Sequence, residues 1–224
     1  VPPKPGKLHR RRLARSQRLF SFDRGLGSRF VAGADEAGRG CLAGPLVAAA
    51  VLIDYERLSR SDRRALGGLH DSKQMTEERR LEMYPSVLRA ASRVSVVIRS
   101  AAGIDRRGLH VTNIEALSVA LERLDPPSEA ICLSDGFSLK RCAVPHRAVV
   151  EGDGTSAAIA AASVIAKVTR DRYMRDAAER HPGWGFEEHV GYSTPEHREA
   201  IERLGISSLH RRSFQSVAYS QLSL

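Results

Sequence analysis

Phe30-Val31-Ala32-Gly33-Ala34-Asp35-Glu36-Ala37-Gly38-Arg39-Gly40 runs an apolar segment into two adjacent carboxylates and then into a glycine–arginine–glycine turn. Phe30 to Asp35 reads as a short strand, and Leu46 to Ile53, entered through Gly44-Pro45, as the strand that returns from the turn. Carboxylates hold hard divalent cations through oxygen. Close glycines let the backbone approach a ligand, and arginine is the usual partner of a phosphate. Metal, phosphate and close backbone together point to phosphodiester chemistry. An adjacent Asp–Glu pair alone is most often solvated surface, so the reading depends on the rest of the chain.

Working outward, Val94 to Ile98 makes a third strand, and Thr76 to Ala91 is helical in composition, with Thr76 as cap and Pro85 expected to break or kink it. Asn113 is placed to cap a helix bearing the stripe Ile114, Leu117, Leu121 and Leu124, ended by Asp125-Pro126-Pro127. Ala130 to Leu133 forms a fourth strand ending at Ser134-Asp135-Gly136, and Ala148 to Val150 a fifth ending near Asp153. Thr155 to Glu179 is a long alanine-rich helix, stopped by Pro182-Gly183, whose small side chains allow close packing on a sheet. Beyond it, Trp184, His189, Tyr192 and the amphipathic Glu196 to Leu204 indicate a smaller helical piece. Periodicity alone gives an α/β protein with a mixed sheet. The expected division is a basic, disordered tail over 1–28, a catalytic domain over 29–182 and a helical C-terminal extension over 183–224.

Asp35, Glu36, Asp135 and Asp153 all fall at or just beyond strand ends, where ligands of α/β sheets collect. If strands one and four are parallel neighbours, Asp35 and Asp135 face each other. Four carboxylates packed this closely could not all stay ionised without cations between them. Ligation by oxygen alone favours Mg2+ or Mn2+ over zinc. One difficulty is geometric: successive strand residues point to opposite faces, so Glu36 has to sit where the strand is already leaving the sheet.

The longer string Gly33 to Gly40, followed by Leu42 to Leu52, resembles the opening motif of bacterial ribonuclease HII. Asp71-Ser72-Lys73, Ser134-Asp135-Gly136, Gly152-Asp153, Ile159 to Asp171, Gly191-Tyr192-Ser193-Thr194 and His210-Arg211-Arg212-Ser213-Phe214 follow in the family's order, covering about residues 30 to 214. The resemblance implies a ribonuclease H-like fold, with a mixed five-stranded sheet flanked by helices. It implies an endoribonuclease that hydrolyses the RNA strand of RNA–DNA hybrids and nicks 5′ of ribonucleotides embedded in duplex DNA, leaving a 3′-hydroxyl and a 5′-phosphate. Asp35, Glu36, Asp135 and Asp153 would carry two metal ions. Gly38, Arg39 and Gly40 would contact the ribose and its phosphate, and Tyr192 would stack on the next sugar. Lys73, Ser163 and Lys167 are expected at phosphates, whereas Asp171 reads as a surface or supporting ion-pair residue. Arg211 and Arg212 either bind the DNA backbone or cap the C-terminal helix. Cys41 stands where proline is usual after the glycine–arginine–glycine turn, and Glu151 where a basic residue is common.

Net charge is +9, but residues 1–18 hold seven of the 35 basic residues and no acid, so the rest of the chain carries 28 against 26 acids. The tail is thus either a solubilising extension or a phosphate-binding arm. Two other functions compete: a non-catalytic basic RNA-binding protein, which leaves four acids at strand ends unexplained, and a nucleotide-binding module. For the latter, GxxxxGK[ST] and the third glycine of a dinucleotide fingerprint are both missing. Three cysteines without CxxC spacing fit reduced thiols, Cys132 being expected in the core. With no apolar run of about 18 residues and no secretory signal, the expectation is a cytoplasmic protein without membrane contact; oligomeric state is left open by the sequence, with monomer as the default. Ser216 to Leu224 offers too little to argue a clamp-binding peptide.

Overall fold

The computed structural model describes residues 7–69 and 75–214. β1 (Phe30–Ala37) and β2 (Leu46–Asp54) pair antiparallel along their whole length, from Phe30↔Asp54 to Ala37↔Val47. β3 (Arg93–Arg99) continues antiparallel on β2, whereas β4 (Ile131–Asp135) lies parallel to β1 and β5 (His146–Val149) parallel to β4. The sheet order β3-β2-β1-β4-β5 is therefore mixed, as expected, and puts β1 and β4 side by side. β2 is buried at every residue, which is why it reads as continuous apolar sequence rather than as an alternation.

The period of two along β1 and β2 sorts side chains between two cores. Val31, Val47, Ala49, Val51 and Ile53 face α6 (Ala157–Arg180); Ala32, Ala34, Leu46, Ala48, Ala50 and Leu52 face the side covered by α5 (Leu109–Leu124). The alanines of α6 allow an unusually close approach. A Cβ added to Gly33 would sit 2.2 Å from the backbone nitrogen of Ile159, so helix backbone rests on strand backbone. Ser156 caps this helix through the Ile159 amide.

Three local expectations are corrected. The segment expected to be a disordered tail is helical over Lys7–Gly25, α1, and its second half is built into the core. Leu19 and Phe20 are buried, Ser16 donates to the Gly67 carbonyl, and the fully buried Asp23 accepts from the Tyr55 hydroxyl and the Ala158 amide. Pro85 lies inside α3 (Glu77–Ala90), which Thr76 caps. Pro85 and Leu81, whose carbonyl it cannot serve, are both on the exposed side, where the missing bond costs least. Asn113 is not a cap: α5 begins at Leu109, after Gly108 at φ +81°, and Asn113 is buried within it.

α2 (Arg60–Ala65) and α4 (Ala101–Arg107) are short connectors. After α6 come α7 (Phe186–His189) and α8 (Pro195–Leu204), knit to the loop between β1 and β2 by an Ala43↔His210 bridge and by packing of Ala43, Met174, Phe186 and Val190. Among the described residues, no helix is long and apolar enough to cross a membrane.

Candidate active site

The pairing between β1 and β4 stops at Ala34↔Ser134, one residue before Asp35 and Asp135, while β1 stays paired to β2 as far as Ala37. The expectation that β1 is already leaving the sheet at Glu36 is thereby corrected. β1 has not left the sheet at Glu36; it has parted from β4 only, and the gap opens between the two acidic strand ends. Asp35 is buried, held by the Ser163 hydroxyl of α6 and by the Glu36 amide, which donates to its Oδ1 at 2.6 Å. Burial first, then the charges of Glu36 and Asp135, push its carboxyl well above the ordinary range. Asp135 Oδ1 accepts from the Gly152 amide at 2.7 Å. That bond brings the turn Gly152–Gly154, with the buried Asp153, against the end of β4.

Among the described residues, no three His, Cys, Asp or Glu side chains are gathered closely enough to enclose an ion by themselves. The donor set nevertheless fits Mg2+ or Mn2+. Such ions are held by one or two carboxylates, with water and substrate phosphate completing the shell, rather than by a protein cage. Asp35 Oδ2 is buried without a hydrogen-bond partner, and two further carboxylates already raise the proton affinity of the same group. A cation relieves both the desolvation and the repulsion.

Beside the acids, a cavity of about 350 Å³ is lined by Glu36, Gly38, Arg39, Gly40, Lys167 and Tyr192. Its two glycines differ. Gly38 has φ +93°, and a Cβ there would lie 2.1 Å from Arg170 Nε; a Cβ on Gly40 would meet nothing within 4 Å. The protein itself thus requires Gly38, whereas the space over Gly40 stays open to an incoming group. Arg39 lies over the Phe137 ring at 4.6 Å, with Nη1 3.7 Å from Glu36 Oε1. Lys167 pairs with Asp171 at 2.7 Å and stands 5.0 Å from the Tyr192 ring centre, so Asp171 is a buried supporting partner. Burial pushes the Tyr192 hydroxyl up to about 12, and the buried Cys41 thiol hydrogen-bonds with it, a contact proline could not make at that position.

Two assigned contacts move inward. Ser163 is buried and serves Asp35, which leaves it no route to a phosphate. Arg211, 1 % exposed, donates from Nε to the Gly44 carbonyl and from Nη1 to that of Arg39, so it ties down the turn rather than a DNA backbone. Burial pushes its guanidinium down to about 10. Arg212 is exposed on the turn Arg212–Phe214, its amide bonded to Asp105. Lys73 and the rest of Asp71-Ser72-Lys73 lie outside the described residues, as does the C-terminal end from 215.

Arg170 was not anticipated. Fully buried on α6, it reaches three carbonyls at 2.9 Å, those of Pro45, Val190 and Ala43. Its signal lay in the helix period: Ile159, Ser163, Ala166, Arg170 and Met174 recur at spacings of three and four, so the arginine falls on the apolar face. Together Arg170 and Arg211 bind five backbone carbonyls around the glycine turn and the loop leading to Tyr192.

The match to known proteins is decisive. A family model described as ribonuclease HII matches residues 32–217. The chain belongs to the ribonuclease HII family. A ribonuclease HII of Geobacillus kaustophilus is 45% identical over 206 residues, which is 91% of this chain and 76% of that one. The crystal structure of the ribonuclease H2 from Pyrococcus horikoshii superimposes with a TM-score of 0.70 at 28% identity, covering 85% of this chain and 96% of that one. A ribonuclease HIII solved in complex with Mn2+ shares the fold alone, with a TM-score of 0.70 at 18% identity over 90% of this chain and 72% of its own. The protein is accordingly a hydrolytic endoribonuclease of a metal-dependent family that acts on RNA–DNA hybrids. The ribonuclease H-like fold expected from the motifs is the one observed. The two non-catalytic readings fall with this assignment.

Proposed function

We propose that this chain cleaves the RNA strand of RNA–DNA hybrids and also nicks duplex DNA on the 5′ side of an embedded ribonucleotide, leaving a 3′-hydroxyl and a 5′-phosphate. The observation that carries this reading is the gap between β1 and β4. Beside it lie buried Asp35, with the charges of Glu36 and Asp135 acting on it, and a cavity that Glu36 shares with Gly38-Arg39-Gly40 and Tyr192.

Asp35, Glu36, Asp135 and Asp153 would hold two ions, Mg2+ or Mn2+. When bound, such ions supply a water of lowered pKa and charge stabilisation of the leaving 3′ oxygen. The side chains do the rest. Ser163 and the Glu36 amide fix the rotamer of Asp35, and the Gly152 amide fixes that of Asp135, so neither carboxylate has to reorganise as the phosphate arrives. The open space at Gly40 lets backbone groups reach the 2′-hydroxyl, which distinguishes ribose from deoxyribose. Arg39 lies at the rim to meet the adjoining phosphate, and Lys167 adds positive charge on the far wall. Tyr192, 38 % exposed, offers a ring face to the next sugar. Exposed Arg212 is placed for a more distant phosphate.

The test is incubation with a duplex carrying a single ribonucleotide, with Mg2+, with Mn2+ and with chelator. A metal-dependent nick 5′ of the ribonucleotide is expected. Cutting of long hybrids without that nick would keep the carboxylate site and overturn the account of recognition at the junction of an isolated ribonucleotide.

A further inference from the structure

Behind Tyr192, three imidazoles lie together in the C-terminal segment: the ring centres of His189 and His197 are 4.1 Å apart and nearly parallel, and those of His197 and His210 are 5.2 Å apart with the rings tilted by 43°. Their neighbours determine where each proton sits. The Ser207 amide can only donate, and it does so to His210 Nδ1 at 2.9 Å. Neutral His210 therefore carries its proton on Nε2, which faces His197 Nε2 at 3.1 Å. His197 must accept there, so its own proton is on Nδ1, donated to the Tyr192 carbonyl at 2.8 Å. The result is a head-to-tail chain from the Ser207 amide through two rings to the Tyr192 carbonyl. His189 is fixed likewise: Nδ1 accepts from the Gly191 amide at 3.1 Å and Nε2 donates to the Trp184 carbonyl at 2.6 Å.

This chain holds a segment that needs holding. Val190 has φ +44° and Gly191 φ +86°, and a Cβ on Gly191 would lie 2.4 Å from the Ala43 carbonyl oxygen. A β-branched residue in the left-handed region persists only where its surroundings over-determine it. Arg170 binds the Val190 carbonyl, the Leu42 and Ala43 amides bind that of Gly191, and His189 binds the Gly191 amide. The Tyr192 carbonyl falls to His197 and the Thr194 amide.

We propose that His197, oriented by His210, is a positioning residue that sets the angle at which Tyr192 is presented to the nucleic acid. This rests on reading Tyr192 as a substrate contact. Imidazole suits the task because it carries an acceptor and a donor at fixed, opposed positions of one rigid ring. A proton added to either ring would set two donors against each other. The titratable groups around the pair, His189 and His181, add only repulsion to such a charge.

The test combines spectroscopy with a double-mutant cycle on kcat/KM for a duplex with one ribonucleotide. Ring-nitrogen NMR of the intact protein should show the Nδ1-H form for His197 and the Nε2-H form for His210, unchanged between about pH 6 and 8. His197→Phe should lower kcat/KM by about tenfold, the scale of one lost positioning hydrogen bond. His197→Asn, which keeps a donor near the Tyr192 carbonyl, should recover most of that loss; it also serves as the test if the Phe variant does not fold. In a Tyr192→Ala background the His197 substitution should have no further effect. Full additivity of the two substitutions, or the opposite tautomers, would overturn the proposal. A Tyr192→Ala enzyme with unchanged kcat/KM would instead sink the stacking role of Tyr192, and with it the reason for the positioning.

Discussion

The guanidinium of Arg170 passes directly beneath Gly38, so that a Cβ on the glycine would lie 2.1 Å from Arg170 Nε. The nitrogen cannot step aside cheaply, because it and its two neighbours are each bonded to a carbonyl at 2.9 Å. The glycine of the motif is thus set from below, by the protein, before any substrate is considered.

Gly38→Ala should therefore damage the enzyme twice. The left-handed φ and the overlap together cost roughly 2–4 kcal/mol of stability, readable by denaturant unfolding. Displacement of the turn should lower kcat/KM by at least about tenfold. Gly40→Ala, with open space around its Cβ, should leave stability within roughly 0.5 kcal/mol of wild type while still impairing cleavage.

Asp35→Asn separates catalysis from folding in the opposite sense. It removes a buried charge that two other carboxylates oppose, and asparagine keeps the shape. Turnover should vanish, whereas the metal-free variant should melt higher than metal-free wild type. Mg2+ should raise the melting temperature of wild type far more than that of the variant. A variant that still turns over would remove Asp35 from the metal set.

Arg211→Lys tests the reassignment of that residue. Lysine keeps the charge but cannot span the Gly44 and Arg39 carbonyls with a planar fork. A loss of roughly 2–3 kcal/mol in stability is expected. The slope of log affinity against log salt on uncleavable duplex should not change, since a buried guanidinium releases no counterions. A slope reduced by about one would mean that Arg211 meets a phosphate after all.

The histidine chain fixes the sign of one acid response. Burial pushes both His197 and His210 down to about 4, against an ordinary value of 6.5. The unfolded chain then binds protons that the folded one refuses, so their contribution is intact above pH 6.5 and declines as pH falls toward 4. The first proton represents on the order of 3 kcal/mol. Denaturant unfolding from pH 7 to 4.5 should show a shallower decline for His210→Gln than for wild type.

The parts legible in the sequence were those set by local pattern. Acids at the ends of the first and fourth strands and the alanine-rich α6 follow from periodicity and small side chains, whereas the parallel pairing of those strands was only a condition there and the specific fold came from the resemblance. What escaped was decided by partners far along the chain. Arg211 is basic and sits in a motif with Arg212, and nothing local says that one is buried and the other exposed. α1 is polar enough to pass for a free tail, because the groups that seat it, Gly67, Tyr55 and Ala158, are distant in sequence. Pro85 was over-read: its cost depends on whether the lost bond faces water.

The seat of Asp23 also bears on the order of assembly. Its carboxylate bonds an amide 135 residues further on. α1 is made well before α6, so the Gly67 and Tyr55 side of its seat exists long before the Ala158 side, and closing so large a loop is entropically slow. Until α6 arrives, Asp23 holds only its Tyr55 bond, and the last bond of that seat closes late.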